Sequence, residues 1–224
     1  MKIIGINTAT NELSIALVDN ETVLAEKKVA GPTAKAEHIV LWLDEVLKAA
    51  GVVLSALEGV GVAIGPGAFT GLRIGVTTAK TLAQMLKVPI VGVSTLEAYA
   101  AQAEETSVRV VLKACRGETN TALFTRTNKV LSRMEADHPE KDDALWAIIR
   151  QEKSILLGDV PAEFAARTHL IKPDAVSVAR IAQTMIKQGN IADPRILVPI
   201  YSHGANIKLS PRIHGELLKQ QARS

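Results

Sequence analysis

The side chains that most often carry out chemistry are few in this 224-residue sequence, and they are not grouped. A single cysteine, Cys115, excludes an intrachain disulfide and any site with several thiolates. Beside Arg116 it is either a reactive thiolate or a structural cysteine, and we favour the second. The five histidines lack the spacing of metal ligands; they are His38, His138, His169, His203 and His214. Because a zinc site needs three or four ligands, the sequence predicts no metal centre.

One glycine-rich run, Gly65–Gly75 (GPGAFTGLRIG), is typical of a backbone that approaches another group closely. It lies between a predicted buried strand and a predicted helix, so free amides at the helix start can hold an anion. Thr70 is then the N-cap residue, and Arg73 is a nearby cation. The weak anion-binding candidates are Gly65, Gly67, Thr70 and Arg73. A turn that needs glycine only for tight packing remains the alternative, and the spacing differs from that of a Walker A loop.

Small residues also recur every four positions along the helix that follows: Gly71, Gly75, Ala79 and Ala83. Each interior glycine costs a helix about 1 kcal/mol relative to alanine, so this ridge indicates the close approach of another backbone. That backbone belongs either to the same chain, which we favour, or to a partner subunit.

The preceding helix has an apolar stripe made of Ala36, Ile39, Val40, Leu43, Val46, Leu47 and Ala50. At 100° per residue, Leu41 points away from that stripe, beside Glu37 and Lys48, and Trp42 lies at the stripe's edge. An outward leucine beside a tryptophan indicates a second interface on this helix.

The elements that position these residues follow from hydrophobic periodicity and turn signals. In the first half we predict strands over 2–7, 12–18, 22–29, 59–64 and 89–93, and helices over 33–50, 70–87 and from Ser94. Three strands with short connections, extended by two strand–helix–strand crossovers, form a mixed α/β sheet. Ribonuclease-H-like folds, including the actin-like lobes, share this order.

The second half repeats the pattern more weakly. We predict strands over 108–113, 119–126, 129–134 and 154–158, and helices over 142–151 and 174–188. A boundary near residue 104 then gives an N-terminal lobe, 1–104, and a smaller, degenerate C-terminal lobe, 105–224. The fold class is a two-lobed α/β protein in which each lobe is a mixed sheet with helices.

Composition and charge exclude several classes of protein. With 47% hydrophobic residues the chain can fill a large core, and seven aromatics are too few for a base-stacking single-strand binder. No apolar run is long enough to span a membrane or act as a signal peptide, and the lone cysteine favours a reducing cytoplasm. Residues 1–104 have 8 Lys/Arg and 10 Asp/Glu, whereas residues 105–224 have 18 and 13. The basic second half either attracts an acidic partner such as RNA or is an ordinary solvated surface.

The Gly65–Gly75 run, with its strand and helix, resembles the signature of the TsaB (YeaZ) family. The similarity also covers GINTAT (5–10), LDEVLKAAG (43–51) and PIVGVSTLEAYA (89–100). The similarity is weaker in the second half. Where the family has Asp-Ala-Arg-Arg-Gly-Glu-Val-Tyr, this chain has Lys113–Asn120 (KACRGETN). Where the family has Pro-x-Tyr-Leu-Arg, this chain has Pro199–His203 (PIYSH). Near the first helix, His-Ser-Glu is replaced by Lys35, Ala36 and Glu37, and a family proline by Leu41.

The resemblance implies a non-catalytic scaffold subunit of the machinery that makes N6-threonylcarbamoyladenosine on tRNA. The implied partners are a TsaD-like catalytic paralogue, a TsaE-like ATPase and tRNA, the last either indirectly or through the basic second lobe. A homodimer is implied when the chain is alone. No cofactor is expected on this chain, although the complex is expected to use ATP. The implied partner surface is on the first two helices, at His38, Leu41, Trp42, Glu45, Gly71, Gly75, Thr78 and Ala79.

Two features of the sequence agree with lost catalysis. The paralogue binds metal through His-x-x-x-His on the first helix, whereas here His38 is followed four residues later by Trp42. Actin-like ATPases usually place an acidic residue and a glycine after the first strand, whereas here Asn7 and Ala9 occupy that turn. The alternatives are an active actin-like phosphotransferase or ATPase and, less favoured, a glycopeptidase-like metallopeptidase.

Overall fold

A computed structural model describes residues 1–31 and 34–201. Position 33, where the first predicted helix starts, and the basic tail 203–224, with His203 and His214, lie outside the described residues. Within them the predicted α/β architecture is confirmed as two sheets with helices on their faces. No helix in the described ranges is both long enough and apolar enough to cross a membrane.

The first sheet has the strand order β3-β2-β1-β4-β5. Its strands are β1 (Lys2–Asn7), β2 (Glu12–Asp19), β3 (Thr22–Ala30), β4 (Gly59–Gly65) and β5 (Ile90–Ser94). The first three strands are antiparallel, and β4 and β5 continue the sheet parallel to β1. The predicted meander with two crossovers is therefore present.

Two helices cross from strand to strand in this lobe. Helix α1 (Ile39–Ala50) follows a 3-10 turn at Ala36–His38, so regular α-helix begins later than predicted, and it ends at Gly51 with φ of 64°. Helix α2 spans Phe69–Leu86.

The prediction that Thr70 caps α2 is wrong, because Ala68 is the N-cap residue and makes no side-chain cap. The Ala68 N–H donates to the Ala9 carbonyl at 2.7 Å, and the helix begins directly after this contact.

The second sheet has the order β11-β10-β6-β7-β8, with β9 paired to β7. Its strands are β6 (Ser107–Lys113), β7 (Glu118–Thr127), β8 (Val130–Arg133), β9 (His138–Lys141), β10 (Ile155–Gly158) and β11 (Thr168–His169). The remaining helices are α3 (Thr95–Ala100), α4 (Asp142–Gln151) and α5 (Ala175–Lys187). Strands β9 and β11 were not predicted, because β9 has the polar sequence HPEK and β11 has only two residues.

Alternating side chains of the first sheet enter two cores. Ile4 and Ile6 pack with α1 and α2 on one face, whereas Ile3 packs with α5 on the other. The close packing of α5 depends on small residues, since a Cβ on Gly5 would lie 2.0 Å from the Ala175 carbonyl oxygen. The last helix of the second half therefore returns to the first sheet. The boundary at residue 104 stays a prediction; β1–β5 precede it and β6–β11 follow it.

The second sheet buries one charged side chain. Arg109 is 2% exposed and forms paired hydrogen bonds with the carboxylates of Glu135 and Glu152, at 2.6–2.9 Å. Burial alone would lower the pKa of Arg109, but the hydrogen bonds and charges of the two carboxylates together have a larger, opposite effect. The pKa is therefore raised, and the guanidinium is charged. In return, the hydrogen bonds from Arg109 lower the pKa of Glu135. This network ties β6 to the chain before β9 and after α4.

Candidate functional site

The glycine-rich run joins three separate segments of the chain. Gly65 has φ of 117°, and a Cβ there would lie 2.3 Å from the carbonyl oxygen of Ile200. A Cβ on Gly67 would lie 2.2 Å from the carbonyl oxygen of Ala9. The Ile200 N–H also donates to the Ile64 carbonyl at 2.7 Å. These glycines therefore let the turn after β1 and the segment after α5 lie directly against the start of α2.

The small residues of α2 are covered by the same turn. A Cβ on Gly71 would lie 2.1 Å from the backbone carbonyl oxygen of Thr8, and one on Gly75 would lie 2.1 Å from the Thr8 Oγ1. The Thr8 hydroxyl donates to the Gly71 carbonyl at 2.7 Å. Ala79 is fully buried in the core beneath α1 and α2. The backbone that approaches the ridge at these two glycines belongs to the same chain.

Arg73 is occupied by aromatic partners. Its guanidinium lies 3.8 Å from the ring centroid of Phe69, and its Nε donates to the Tyr201 hydroxyl at 3.1 Å. The two aromatic rings lie 5.0 Å apart. Arg73 therefore fastens the segment after α5 to the first turn of α2.

Contacts within the chain are sufficient to explain why glycine and arginine stand at the predicted anion-binding positions. Two of them, Gly65 and Gly67, face carbonyl oxygens, which do not favour a negative charge. Thr70 lies inside α2 rather than at its cap. Anion binding at this turn stays a prediction.

Asn7 lies where actin-like ATPases usually have an acidic residue, and its side-chain amide makes hydrogen bonds within this chain. Its Nδ2 donates to the Pro173 carbonyl at 2.9 Å and to the Glu12 carbonyl at 3.4 Å, and its Oδ1 accepts from the Ala9 N–H at 3.1 Å. A carboxylate cannot donate to the two carbonyl groups. The amide therefore joins β1 to the segment that leads into α5.

The outer side of α1 is apolar and open to solvent. Leu41 is 56% exposed, as predicted from its position on the helix. Val40, predicted in the buried stripe, is 60% exposed, because the core packs mainly against Ile39, Leu43 and neighbouring stripe positions. Two adjacent aliphatic side chains at the start of one helix therefore face solvent.

Trp42 does not reach this surface. It is 4% exposed, and the ammonium of Lys27 on β3 lies 5.8 Å from its ring centroid. The exposed His38 ring contacts its edge at a centroid distance of 6.2 Å. The Glu45 carboxylate pairs with the same lysine. Trp42 thus supports the surface from within the core.

The structure divides the eight predicted partner residues into two groups. Buried in this chain are Trp42, Gly71, Gly75 and Ala79. Exposed or half-buried are His38, Leu41, Glu45 and Thr78. Of these, Leu41 and Glu45 on α1 and its N-cap residue His38 lie on the outer side with Val40, which sequence reasoning had placed inside. One feature of the sequence indicated that Val40 could be exposed, which is its position at the edge of the predicted apolar stripe. That stripe is wider than the part of α1 that is buried in the structure.

A second feature is a cleft of about 670 Å³ between the ends of the two sheets. It is lined by the turn 9–12, the start of α2 at 67–69, the β6–β7 connection at 112–115, and five further residues: Tyr99, Asn120, Asp159, Lys172 and Tyr201. Three of the chain's seven aromatic residues line it: Phe69, Tyr99 and Tyr201. Sequence reasoning missed this cluster because its members are far apart in the sequence, with 132 positions between Phe69 and Tyr201.

The charges of the cleft are balanced. Lys172 pairs with Glu12 at 3.2 Å, and the backbone N–H of Lys113 donates to the Asp159 carboxylate at 2.9 Å. Burial, with the nearby carboxylates of Asp159 and Glu12, raises the pKa of Tyr99 well above its ordinary value. The Tyr99 hydroxyl therefore stays protonated at neutral pH and can donate a hydrogen bond. Cys115 is exposed at the rim.

Within 1–31 and 34–201, no three His, Cys, Asp or Glu side chains gather in a way that could hold a metal ion.

Comparison with known proteins identifies the family. The model of the family described as TsaD, tRNA N6-adenosine threonylcarbamoyltransferase, matches residues 33–145, which include α1, α2 and the glycine-rich run. The TsaB protein of Bacillus subtilis, a tRNA threonylcarbamoyladenosine biosynthesis protein, is 34% identical over 139 residues, 61% of each chain. That of Escherichia coli is 34% identical over 130 residues, 56% of each chain. This chain belongs to the family that the TsaD model describes, and it is similar to TsaB proteins. It contains a TsaD-like domain.

The fold agrees with this membership. YeaZ from Pseudomonas aeruginosa superposes with a TM-score of 0.74 at 21% identity, over 89% of this chain and 99% of that one. The two-lobed actin-like, ribonuclease-H-like α/β fold is therefore shown. The chain spans only about three fifths of the length of the curated TsaB relatives it matches.

Proposed function

We propose that this chain is a non-catalytic scaffold subunit in the synthesis of N6-threonylcarbamoyladenosine on tRNA. In this role it binds a TsaD-like catalytic subunit and supports it. The observation that carries the proposal is the exposed pair Val40 and Leu41 on the outer side of α1, in a chain that is similar to TsaB proteins. A solvent-facing aliphatic pair on a well-packed helix is a natural contact for a partner subunit.

The rest of the same helix is suited to a specific contact. Asp44 and Lys48 form an exposed ion pair next to the aliphatic pair, and Glu45 and His38 lie beside it. Interfaces combine such an apolar centre with a polar rim. Trp42 and Lys27, packed beneath, hold α1 against β3, so that the surface is already formed before a partner binds.

The remaining partners follow from the same role. A TsaE-like ATPase would join the complex, and its ATP would be used there rather than on this chain. tRNA would be contacted indirectly or through the basic second half. Without its partner the chain would pair with itself through α1, because an exposed apolar side binds a copy of itself. The complex would work in the cytoplasm.

The test is co-purification with the TsaD-like subunit of the same organism, comparing Leu41→Glu with Ile148→Glu. Ile148 is a matched control because it is an aliphatic residue, 43% exposed, on α4 of the other sheet. We expect Leu41→Glu to lose the complex and Ile148→Glu to keep it, with unchanged melting temperatures for both. A complex that survives both Leu41→Glu and Val40→Glu would refute the α1 surface.

The scaffold role has its own readout. Threonylcarbamoyladenosine formation by the reconstituted proteins should fall with Leu41→Glu in proportion to the lost complex. Full modification by the catalytic subunit without this chain would refute the scaffold role itself.

A further inference from the structure

The segment that follows α5 carries a row of exposed aliphatic side chains. This aliphatic row consists of Ile196, Val198 and Ile200, whose exposed fractions are 74%, 63% and 46%. Leu197 lies between the first two and packs inward against the core beneath α1 and α2. The alternation is that of an extended chain with one side towards the protein and the other towards solvent. Single exposed aliphatic residues are ordinary, but a row of three marks an interaction surface.

The aliphatic row is held in place along α2. The Lys80 Nζ donates to the Leu197 carbonyl at 2.9 Å, and the Arg73 Nε donates to the Tyr201 hydroxyl at 3.1 Å. Positions 73 and 80 are separated by roughly 10 Å along a helix axis, and an extended chain covers roughly 13 Å from 197 to 201. The segment therefore runs antiparallel to α2 along its side, and the row is already formed before a partner binds.

The surroundings of the aliphatic row are basic. Helix α2 with its C-cap (69–87) and the segment 188–201 together contain four Lys/Arg and one Asp/Glu. Arg73 stands at one end of the row, and Arg195 stands at the other end. Arg195 pairs with the acidic residue, Asp193, at 2.7 Å, so the net charge of the surface comes from the three cations of 69–87. Such a surface attracts an acidic ligand.

Charge also excludes two other occupants of this surface. The chain's own tail, 203–224, contains four Lys/Arg and one Asp/Glu, so the basic surroundings repel it. RNA would satisfy the charge but would leave the aliphatic row without an apolar partner. An acidic protein segment that also has aliphatic side chains satisfies both features.

The spacing of the row favours an extended segment over a helix. Alternate residues of an extended chain are roughly 6.7 Å apart and point the same way, so a partner strand can match each member of the row. Residues that share one face of a helix are three or four positions apart, roughly 5–6 Å from each other. Helix α1 of a second copy, whose region 36–50 has three Asp/Glu and one Lys, therefore fits the charge but not the spacing.

We propose that the aliphatic row and the adjacent side of α2 bind an extended segment of a partner protein, in which alternating aliphatic residues lie between acidic ends. The aliphatic side chains pack on the row, and the acidic ends meet Arg73 and Arg195. Extended peptides are commonly recognised in this way, through alternate side chains. The proposal goes beyond the scaffold role and does not depend on it, because the scaffold role is based on α1.

The experiment is a fluorescence anisotropy titration of a labelled peptide, Glu-Glu-Ile-Thr-Val-Thr-Ile-Glu-Glu, with the full chain. The side chains of this peptide read the same in both directions, so either orientation can match the row. We expect saturable binding that Val198→Glu and Ile196→Glu each weaken at least tenfold, because each replaces an apolar contact by a like charge. Val53→Glu is the matched control, since Val53 is a valine of similar exposure, 68%, in the connection after α1. It should leave the dissociation constant unchanged.

The charge requirement is tested with the same titration. Replacing the four glutamates of the peptide by lysine should abolish binding. Arg195→Gln should weaken the binding of the acidic peptide about threefold, whereas Lys48→Gln on α1 should leave it unchanged. Leu41→Glu should also leave it unchanged, so failure of this proposal and failure of the α1 surface are separate results.

Four results would overturn the proposal. The first two are absence of peptide binding and binding that both Val198→Glu and Ile196→Glu leave unchanged. The third is equal affinity for the lysine peptide, or at least tenfold tighter binding of a single-stranded RNA that Val198→Glu abolishes. The fourth is a dimer of the unmodified chain, in sedimentation equilibrium, that Val198→Glu converts to a monomer. Unchanged melting temperatures of the variants provide the folding control.

Discussion

Helices α1 and α2 lie side by side over one face of the first sheet, but they present opposite kinds of surface. The small residues of α2 at Gly71 and Gly75 face inward, where Thr8 contacts them. The aliphatic residues Val40 and Leu41 of α1 face outward and contact solvent. The glycines of α2 thus mark a close backbone contact that is made within this chain, whereas the outward Leu41 of α1 marks a surface that this chain leaves exposed to solvent. The same distinction applies to charged residues, since Arg109 is enclosed and Lys48 is not.

The largest expected effect is on the enclosed charge. Arg109→Met should lower the free energy of unfolding by about 3 kcal/mol, because it leaves Glu135 and Glu152 without their buried partner. Lys48→Met, which breaks the exposed pair with Asp44, should produce no measurable change. Urea unfolding of both variants measures the difference. Similar losses for both would contradict the division into enclosed and open charges.

The next effect concerns the backbone contact of α2. Gly71→Ala should lower the free energy of unfolding by about 2 kcal/mol, although alanine in a helix interior normally gains about 1 kcal/mol. The added Cβ meets the Thr8 carbonyl oxygen, which cannot rotate away. Thr78→Ala on the same helix is the control and should be close to neutral. Stabilisation by Gly71→Ala would show that the ridge is not closed by this chain.

A smaller effect is expected one turn later. Gly75→Ala meets the Thr8 Oγ1 rather than its backbone, so it should cost about 1 kcal/mol. Thr8→Ala should relieve this clash but not that of Gly71→Ala. A double-mutant cycle by thermal unfolding tests the contrast, and it fails if Thr8→Ala rescues both variants equally.

The acid dependence of stability tests the enclosed charges in another way. Arg109 lowers the folded-state pKa of Glu135 from its ordinary 4.5. The stabilisation is therefore complete above about pH 4.5 and is lost as the pH falls through the folded-state pKa. Glu135→Gln should be less stable at neutral pH and should lose less stability on acidification. Parallel pH profiles for the two proteins would contradict this.

Much of the fold could be predicted from the sequence, because its signals are local. Helix α4 was predicted over its full range, 142–151, and the Asp174 cap of α5 accepts from the Ser177 N–H as its residue type favours. The strands β9 and β11 were missed because one is polar and the other has only two residues, whereas the errors around α1 and α2 come from tertiary contacts. The Ala9 carbonyl moves the cap of α2 from Thr70 to Ala68, and Lys27 on β3 covers Trp42.

The candidate sites were less predictable for the same reason. Leu41 follows from helical periodicity alone. The cleft instead brings Phe69, Tyr99, Asn120 and Tyr201 together from four separate elements. Nothing in their spacing indicates that they meet, although the glycines at Gly65–Gly67 showed that some backbone must approach there.

The central claim is that the open side of α1 is where the catalytic subunit binds. The most direct measurement is the dissociation constant between this chain and its TsaD-like partner, for the unmodified chain, Leu41→Glu and Ile148→Glu. We predict that Leu41→Glu raises the constant at least a hundredfold, a loss of about 2.7 kcal/mol, while Ile148→Glu leaves it unchanged. Equal constants for all three proteins would contradict the account.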